Sequence, residues 1–256
     1  MVARNEFVAG LAEGQPQIGL WISLASNIAA EVIAPSGYDW VLLDMEHSPG
    51  DVNSILGQLQ VFARTGTTAI VRPDWNDAVL VKRLLDLGAP GLLFPMIQSA
   101  EEARAAVAAT RYPPHGIRGV AGSTRANRYG RDADYFDKIA DETAVLIQLE
   151  TQKALGDADA ITAVDGITGV FFGPGDIAAD MGLLGQPLHD DVWAAIRPVA
   201  RRLIDRGMPV GTLVSDPAFA RELLEFGFSF VAVGSDTALL ARGADALLAR
   251  MRGAAD

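Results

Sequence analysis

The feature that most constrains the fold is a series of eight short apolar runs spaced along the chain. They are IGLWISL from Ile18, WVLLDME from Trp40, TAIVRP from Thr68, GLLFPMI from Gly91, AVLIQLE from Ala144, GVFFGP from Gly169, MPVGTLV from Met208 and FSFVAVG from Phe228. The runs are continuous rather than alternating, which is typical of strands covered on both faces in a parallel sheet. Ala-rich segments with helical spacing lie between them. Eight strands alternating with helices predict a (β/α)8 TIM barrel.

A doubly wound open sheet is the competing fold, but no Gly-rich dinucleotide fingerprint follows the first apolar run. A length of 256 residues allows either one barrel or two small domains. No linker, low-complexity tract or repeat marks a boundary, so residues 1–256 are predicted to form one barrel domain. The longest connection, 110–143, is rich in arginine, and loops of that length are usually functional lids or interface segments.

The charge balance excludes several classes of partner. The formal net charge is −11, whereas nucleic acids and anionic membranes reward clustered Lys and Arg. No apolar run reaches the roughly 20 residues of a membrane helix, and the N-terminal segment lacks the apolar core of a signal peptide. We therefore expect a cytoplasmic protein. The absence of cysteine excludes disulfides, thiolate metal sites and cysteine nucleophiles.

Polar side chains follow several of the predicted strands at the point where each strand ends. They are Asp44, Glu46 and His47 after the second run, Arg72 after the third, Gln148 and Glu150 after the fifth, and Asp176 after the sixth. In a (β/α)8 barrel the active site lies where strands end and helices begin. Side chains that are far apart in sequence should therefore meet at one rim of the barrel.

Glu150 and Asp176 are the predicted metal ligands. Mg²⁺ and Mn²⁺ take oxygen ligands and usually only one or two protein carboxylates, with water and substrate completing the coordination. Taken singly, each carboxylate is as easily explained as a helix cap, but two at neighbouring strand ends favour a metal site. In GPGDIAADMG, Gly173 and Gly175 let the backbone approach a ligand closely, and a helix beginning near Asp176 would favour an anionic substrate.

His47 and Arg72 are the predicted catalytic side chains. His47 is the only histidine at a predicted strand end, and histidine is well suited to act as a general base near neutral pH. A lone histidine is often structural, and Arg72 is equally explained by a structural salt bridge. In the functional interpretation, Arg72 is a permanent cation beside developing negative charge.

Two kinds of covalent catalysis are disfavoured by what the sequence lacks. A Schiff-base enzyme needs a desolvated lysine in its pocket, and Lys82, Lys138 and Lys153, the only lysines, fall in predicted helices. No GxSxG context supplies an activated serine. A carbonyl substrate would therefore have to be polarised by a metal ion.

Several motifs in the same order and spacing resemble those of one enzyme family. WVLLDMEHSP, IVRPDWND, LLDLGAPGLLFPM, TRYPPHGIRGV, LIQLET and GVFFGPGDIAADMG are similar to the metal-dependent (class II) pyruvate aldolases of the HpcH/HpaI family, which includes 4-hydroxy-2-oxoheptanedioate aldolase and 2-keto-3-deoxy-sugar-acid aldolase. The resemblance runs from about Ile18 to the C-terminal region.

The resemblance implies a barrel whose last helix is exchanged between subunits, assembled as a homohexamer of paired chains. It implies reversible aldol addition of pyruvate, or a substituted pyruvate such as hydroxypyruvate, to an aldehyde, giving 4-hydroxy-2-oxo acids. The implied cofactor is Mg²⁺, Mn²⁺ or Co²⁺ on Glu150 and Asp176.

The resemblance also implies roles for residues around the metal. The amides around Gly175 and Asp176 would bind the donor carboxylate, and Arg72 would stabilise the enolate oxygen. His47 paired with Asp86 would act as an acid–base dyad through a water, with Gln148 fixing the water and donor. Only the resemblance points to Asp86, which lies late in a predicted helix.

Some positions depart from the family pattern or are expected to vary within it. GPGD stands where GPAD is more usual, so Gly175 should leave backbone binding intact but more flexible. Phe94, Phe172 and the TLVSD stretch around Leu213 are expected on the side of the aldehyde acceptor.

Two alternatives remain open at this point. An acyl-CoA lyase of the related citrate-lyase-like barrels would need cations for the CoA phosphates, and Arg118, Arg125, Arg128 and Arg131 are candidates. The other is a catalytically silent assembly subunit. The presence of all five predicted site residues weakens it, because a protein without catalysis need not retain His47, Arg72, Asp86, Glu150 and Asp176 together.

Overall fold

The computed structural model of the protein describes residues 4–253, which contain the eight predicted strands. The strands are β1 Gln17–Ile22, β2 Trp40–Asp44, β3 Thr68–Arg72, β4 Gly91–Phe94, β5 Ala144–Leu149, β6 Gly169–Phe172, β7 Val210–Leu213 and β8 Phe230–Ser235. The helices are α1 Glu6–Ala12, α2 Asn27–Ile33, α3 Val52–Phe62, α4 Ala78–Asp86, α5 Ala100–Thr110, α6 Tyr135–Lys138, α7 Gln152–Gly156, α8 Ala158–Thr162, α9 Pro174–Asp180, α10 Asp190–Asp205, α11 Pro217–Phe226 and α12 Asp236–Met251.

The strands form a closed parallel barrel, which confirms the predicted (β/α)8 fold. Each strand pairs with the next along the chain, and β8 pairs with β1 to close the ring. All carboxyl ends therefore lie at one end of the barrel, and each following helix returns along the outside toward the amino end. The amino end is covered by α1, whose Phe7 packs on Trp40 and Phe230 at centroid distances of 5.8 and 5.4 Å.

The apolar runs divide into two layers. One set fills the barrel interior and includes Leu42, Ile70 and Leu146. Their neighbours in the same strands, such as Leu43 and Val71, face the surrounding helices. Side chains on both faces of the sheet are thus buried, and this explains why the strands read as continuous rather than alternating apolar sequence.

The last helix, α12, is held at its beginning and exposed along the rest of its length. The Asp236 carboxylate accepts backbone N–H bonds from Ser23 (2.9 Å) and Leu24 (3.1 Å) after β1. From Leu239 to Met251 every side chain of the helix is exposed. Within residues 4–253, no helix is long and apolar enough to cross a membrane.

Candidate active site

The predicted convergence of strand ends is present at the carboxyl end of the barrel. A cavity of about 460 Å³ opens there. Its lining includes Trp21, Arg72, Gln148, Phe171, Gly173, Gly175, Asp176, Leu188, Leu213, Ser215 and Arg242. The structure therefore brings together Arg72, Gln148, Gly175, Asp176 and Leu213, all of which were predicted as site residues.

Arg72 lies at the end of β3 and is held in place by two carboxylates. Its Nε and Nη2 donate to the two oxygens of Asp44, each at 2.8 Å, and its Nη1 lies 2.7 Å from Glu46 Oε2. The guanidinium also lies 5.1 Å from the ring centroid of Trp21. Only 5% of Arg72 is exposed. This forked geometry fixes the cation in the cavity wall.

The pKa values of this ion pair move in opposite directions. Burial opposes both charges, but the hydrogen bonds and charge of Arg72 hold the pKa of Asp44 below its ordinary value. Burial also opposes the charge on Arg72, but Asp44 and Glu46 raise the pKa of Arg72. Both groups are therefore charged at neutral pH.

Glu150 is a buried carboxyl group that forms no ion pair with any of the residues that the structure describes. Its Oε1 accepts the backbone N–H of Met96 at 2.7 Å, and its Oε2 accepts from Gln148 Nε2 at 2.7 Å. Burial is the main cause that raises the pKa of Glu150 to about 8, and the charges of Asp176 and Glu46 raise it further. Because Arg72 is already occupied by Asp44 and Glu46, it does not neutralise Glu150 and Asp176 as well.

The residues around Glu150 fit a divalent cation. Glu150 and Asp176 supply two carboxylates, the number that Mg²⁺-type ions usually take from protein. Neither caps a helix, since Thr151 caps α7 and the beginning of α9 has no side-chain cap. No cluster of three or more His, Cys, Asp or Glu side chains suited to a metal occurs in residues 4–253. A two-carboxylate site completed by water and substrate is therefore the arrangement that the residues support.

Two further features shape this position. Gln148 Oε1 is buried and has no hydrogen-bond partner among the described residues, so it is an available acceptor in the cavity wall. A Cβ at Gly173 would lie 2.8 Å from Glu150 Oε2 and 3.2 Å from Gln148 Nε2, whereas one at Gly175 would meet no atom within 4 Å. Gly173 is thus required by packing against Glu150, and Gly175 borders open space.

The structure of one chain does not bring His47 and Asp86 together. His47 lies at the rim beyond β2, 69% exposed, with Nε2 3.9 Å from Glu46 Oε2. Asp86 is the last residue of α4, five residues before Gly91 begins β4, and so lies at the amino end. There it binds Arg118, whose Nη2 donates to Asp86 Oδ1 at 2.8 Å. A dyad of His47 and Asp86 therefore requires a second chain.

Two of the residues expected near the acceptor lie elsewhere. Phe94 and Phe172 are fully buried between the strands and the surrounding helices, and neither lines the cavity. The expectation for them was wrong, because adjacent residues in a strand point to opposite faces. Phe171, one position earlier than Phe172, lines the cavity instead.

Several residues of the site were missed or left without a role by sequence reasoning. Asp44 and Glu46 were noticed only as polar strand ends, although both contact Arg72. Trp21 and Met96 carry no sequence signal for their contacts. Arg242 in α12 also lines the cavity, and only the path of the helix after β8 reveals it.

The fold and site define a (β/α)8-barrel protein with an acidic pocket at its carboxyl end, fitted for a divalent ion and facing a fixed arginine. The sequence profile described as HpcH/HpaI aldolase/citrate lyase matches residues 17–243. The chain belongs to this family, as the motifs predicted.

Individual relatives are similar over nearly the whole chain. The chain is 52% identical over 246 residues to a pyruvate aldolase of Rhizobium etli, covering 96% of this chain and 97% of that one. It is 50% identical over 248 residues to a 4-hydroxy-2-oxo-heptane-1,7-dioate aldolase of Salmonella dublin, covering 96% and 94%. A crystal structure of a family member from Burkholderia cenocepacia superposes with a TM-score of 0.93 at 37% identity, covering 97% of this chain and 99% of that one.

Proposed function

We propose that this protein is a divalent-metal-dependent aldolase that enolises pyruvate, or a substituted pyruvate such as hydroxypyruvate, and adds it reversibly to an aldehyde. The observation that carries the proposal is a buried Glu150 carboxyl group that is hydrogen-bonded to Gln148, in a cavity wall that Gln148 shares with Asp176 and Arg72. Relatives at about half identity that are named aldolases support the same reaction.

Glu150 and Asp176 would hold the ion, and Mg²⁺, Mn²⁺ or Co²⁺ suits their oxygen donors. When bound, the ion supplies a Lewis acid that polarises the keto group of a 2-oxo acid. Gly175 and Asp176 border the open space beside it, and the amide groups there suit the donor carboxylate. Gln148 has a free buried oxygen that suits a water or a donor hydroxyl.

In this proposal Arg72 stabilises negative charge and His47 transfers protons. Loss of a proton from the donor's methyl carbon leaves negative charge on the keto oxygen, which the fixed guanidinium of Arg72 stabilises. The methyl carbon then bonds to the aldehyde carbon, and the new alkoxide takes up a proton. His47 at the rim moves these protons, with Asp86 of a second chain orienting it.

An assembly of several chains is part of the proposal because one chain leaves the site without Asp86. The exposed apolar side chains of α12 support packing of this helix on another chain, and the proposed assembly is a homohexamer. These side chains are Leu239, Leu240, Leu247, Leu248 and Met251. Large exposed apolar patches usually mark interaction surfaces.

The acceptor is proposed to be an aldehyde that carries an anionic group. Leu188, Leu213 and Ser215 line the outer part of the cavity without charge, and Arg242 lies beside them. No hydrogen bond or ion pair engages the Arg242 guanidinium within the part of the chain that the structure describes. A free cation at the mouth of the cavity suits a carboxylate on the aldehyde.

The acyl-CoA alternative loses two of its four candidate cations. Arg118 is buried on Asp86, and Arg125 donates to the backbone carbonyls of Leu87 and Leu59 at the amino end. Neither is free to bind a CoA phosphate beside Asp176. This arrangement favours the aldolase.

The proposal is tested by deuterium exchange into the methyl group of pyruvate, followed by NMR without any aldehyde. Exchange that a chelator abolishes and Mn²⁺, Mg²⁺ or Co²⁺ restores is the expected result. Cleavage of an acyl-CoA ester without any exchange into 2-oxo acids would favour the lyase. Metal binding without exchange or cleavage would favour the silent assembly subunit.

A further inference from the structure

Arg118 is a buried arginine that no step of the proposed reaction uses. Only 2% of it is exposed. Its Nη2 donates to Asp86 Oδ1 (2.8 Å) and to the Tyr135 hydroxyl (3.2 Å), and its guanidinium lies 4.5 Å from the ring centroid of Tyr112. Its Nε and Nη1 have no hydrogen-bond partner among residues 4–253. The guanidinium is therefore confined by its surroundings, and Asp86 is its acidic partner.

Asp86 occupies a position where a carboxylate is ordinarily unfavourable. It is the last residue of α4, and the carbonyl end of a helix dipole repels negative charge. The Asp86 carbonyl is itself fixed by the Ala126 N–H at 3.1 Å. The guanidinium of Arg118 supplies the charge and the hydrogen bond that compensate the carboxylate there.

Only one side of the Asp86 carboxylate is occupied. Arg118 binds Oδ1, and no hydrogen bond from a described residue reaches Oδ2. The Asp86 side chain remains 24% exposed, whereas that of Arg118 is 1% exposed. One oxygen is thus held by a buried cation while the other is open to a donor from outside the chain.

We infer that Arg118 is the positioning residue for Asp86, holding its carboxylate in the orientation that meets the imidazole of His47 in another chain. This role rests on the proposed function, in which that dyad moves the protons. Arg118 does not touch the substrate and acts through Asp86 alone. A purely structural role, holding the loop after α5 to the end of α4, is the competing explanation.

A double-mutant cycle on the intact assembly separates the two explanations. The rate of methyl deuterium exchange and the KM for pyruvate are measured at saturating Mn²⁺ for the wild type, Asp86→Asn, Arg118→Met and the double variant. Asp86→Asn is expected to lower the maximal rate about 100-fold. Arg118→Met should lower it about 10-fold or more with little change in KM, because a misplaced group loses rate rather than donor binding.

The double variant is the decisive one. If Arg118 acts through Asp86, removing it once the carboxylate is gone should change the rate by less than about twofold. Arg118→Lys, which keeps the charge, should recover part of the rate. Tyr135→Phe is the matched control, since it removes a contact of Arg118 but keeps the Asp86 ion pair, and it should stay near the wild type.

The inference is overturned if the rate losses of the two single variants multiply in the double variant. It is also overturned if a changed oligomeric state or a lower melting temperature fully explains the rate loss of Arg118→Met. If the wild type exchanges and Asp86→Asn exchanges at the same rate, the inference is overturned but the proposed aldolase function is not. A wild type with no metal-dependent exchange overturns the proposed function and this inference with it.

Discussion

Two buried arginines, one at each end of the barrel, are held by an aspartate and stacked near an aromatic ring. At the carboxyl end, Arg72 makes a two-pronged contact with a fully buried Asp44 and also contacts Glu46. At the amino end, Arg118 makes one contact with a partly exposed Asp86, and its Nε and Nη1 have no hydrogen-bond partner within residues 4–253. Arg72 thus uses all three of its guanidinium nitrogens on two carboxylates, whereas Arg118 binds only Oδ1 of Asp86.

The two ion pairs suit the two different roles proposed for them. A forked, buried pair fixes the cation itself, which suits a group that must stabilise substrate charge from a constant position. A single contact from a buried cation fixes the anion instead and leaves it available. In each pair the partner with the more exposed side chain, Arg72 or Asp86, is the one proposed to act on a group outside the pair.

The largest effect should come from breaking the forked pair. Arg72→Met leaves Asp44 buried without its cation, and we expect a loss of about 3–5 kcal/mol in the free energy of unfolding. The maximal exchange rate should fall about 10²–10³-fold, the usual cost of one charge-stabilising donor. Arg118→Met should destabilise the protein less, because Asp86 can be solvated. Equal losses for the two variants in chemical denaturation would contradict the comparison.

The next effect is the pH dependence of metal binding, which depends on Glu150. The pKa of Glu150 is about 8 in the metal-free protein, mainly through burial. Below that pH an ion must displace the proton, so apparent metal affinity should fall about tenfold per pH unit and level off above pH 8. Isothermal titration in buffers of different protonation enthalpy checks the release of one proton.

The same shift should appear in the stability of the metal-free protein. The folded state binds the Glu150 proton more tightly than the unfolded chain, whose glutamate has an ordinary pKa near 4.5. The contribution of Glu150 to the free energy of unfolding is therefore present at low pH and is lost as pH rises toward 8. Glu150→Gln, the matched control, should lack this part of the pH dependence. Identical pH profiles for the two proteins would argue against the shifted pKa.

A smaller effect separates two glycines of the same loop. Gly173→Ala places a methyl group against Glu150 and Gln148, and metal affinity should fall about 10–100-fold. Gly175→Ala meets open space and should bind Mn²⁺ within about twofold of the wild type. Titration of Mn²⁺ followed by electron paramagnetic resonance compares the two. Equal weakening would mean that the loop is not held by Glu150.

The smallest effect is expected at the exposed arginine of the cavity mouth. Arg242→Gln should lower kcat/KM about two- to fivefold for an aldehyde with a carboxylate, because an exposed charge pair contributes little. A neutral aldehyde of the same length should be unaffected. Arg250→Gln, in the last turn of the same helix and outside the cavity lining, is the control. A loss that is the same for both aldehydes would remove Arg242 from acceptor selection.

Much of the carboxyl-end site was predictable because a parallel barrel places every strand terminus at one end. Once eight apolar runs are recognised, Arg72, Gln148, Glu150 and Asp176 must lie around the same rim, whatever their separation in sequence. The faces of the strands were less predictable. Phe172 was expected near the acceptor although Phe171 is the residue that reaches the cavity, since continuous apolar runs hide which residues point inward.

Sequence alone determined the barrel, the carboxyl groups at its rim and the absence of lysine from the strand ends, because these depend on composition and on the order of strand ends. Tertiary structure alone decided which side chains contact one another and which are buried. Asp44, not a free acid of the surface, neutralises Arg72, and burial rather than sequence neighbours raises the pKa of Glu150. Asp86 lies at the far end of the chain's own barrel because α4 runs back along the outside. Pairing, burial and helix direction are long-range properties that the local sequence does not encode.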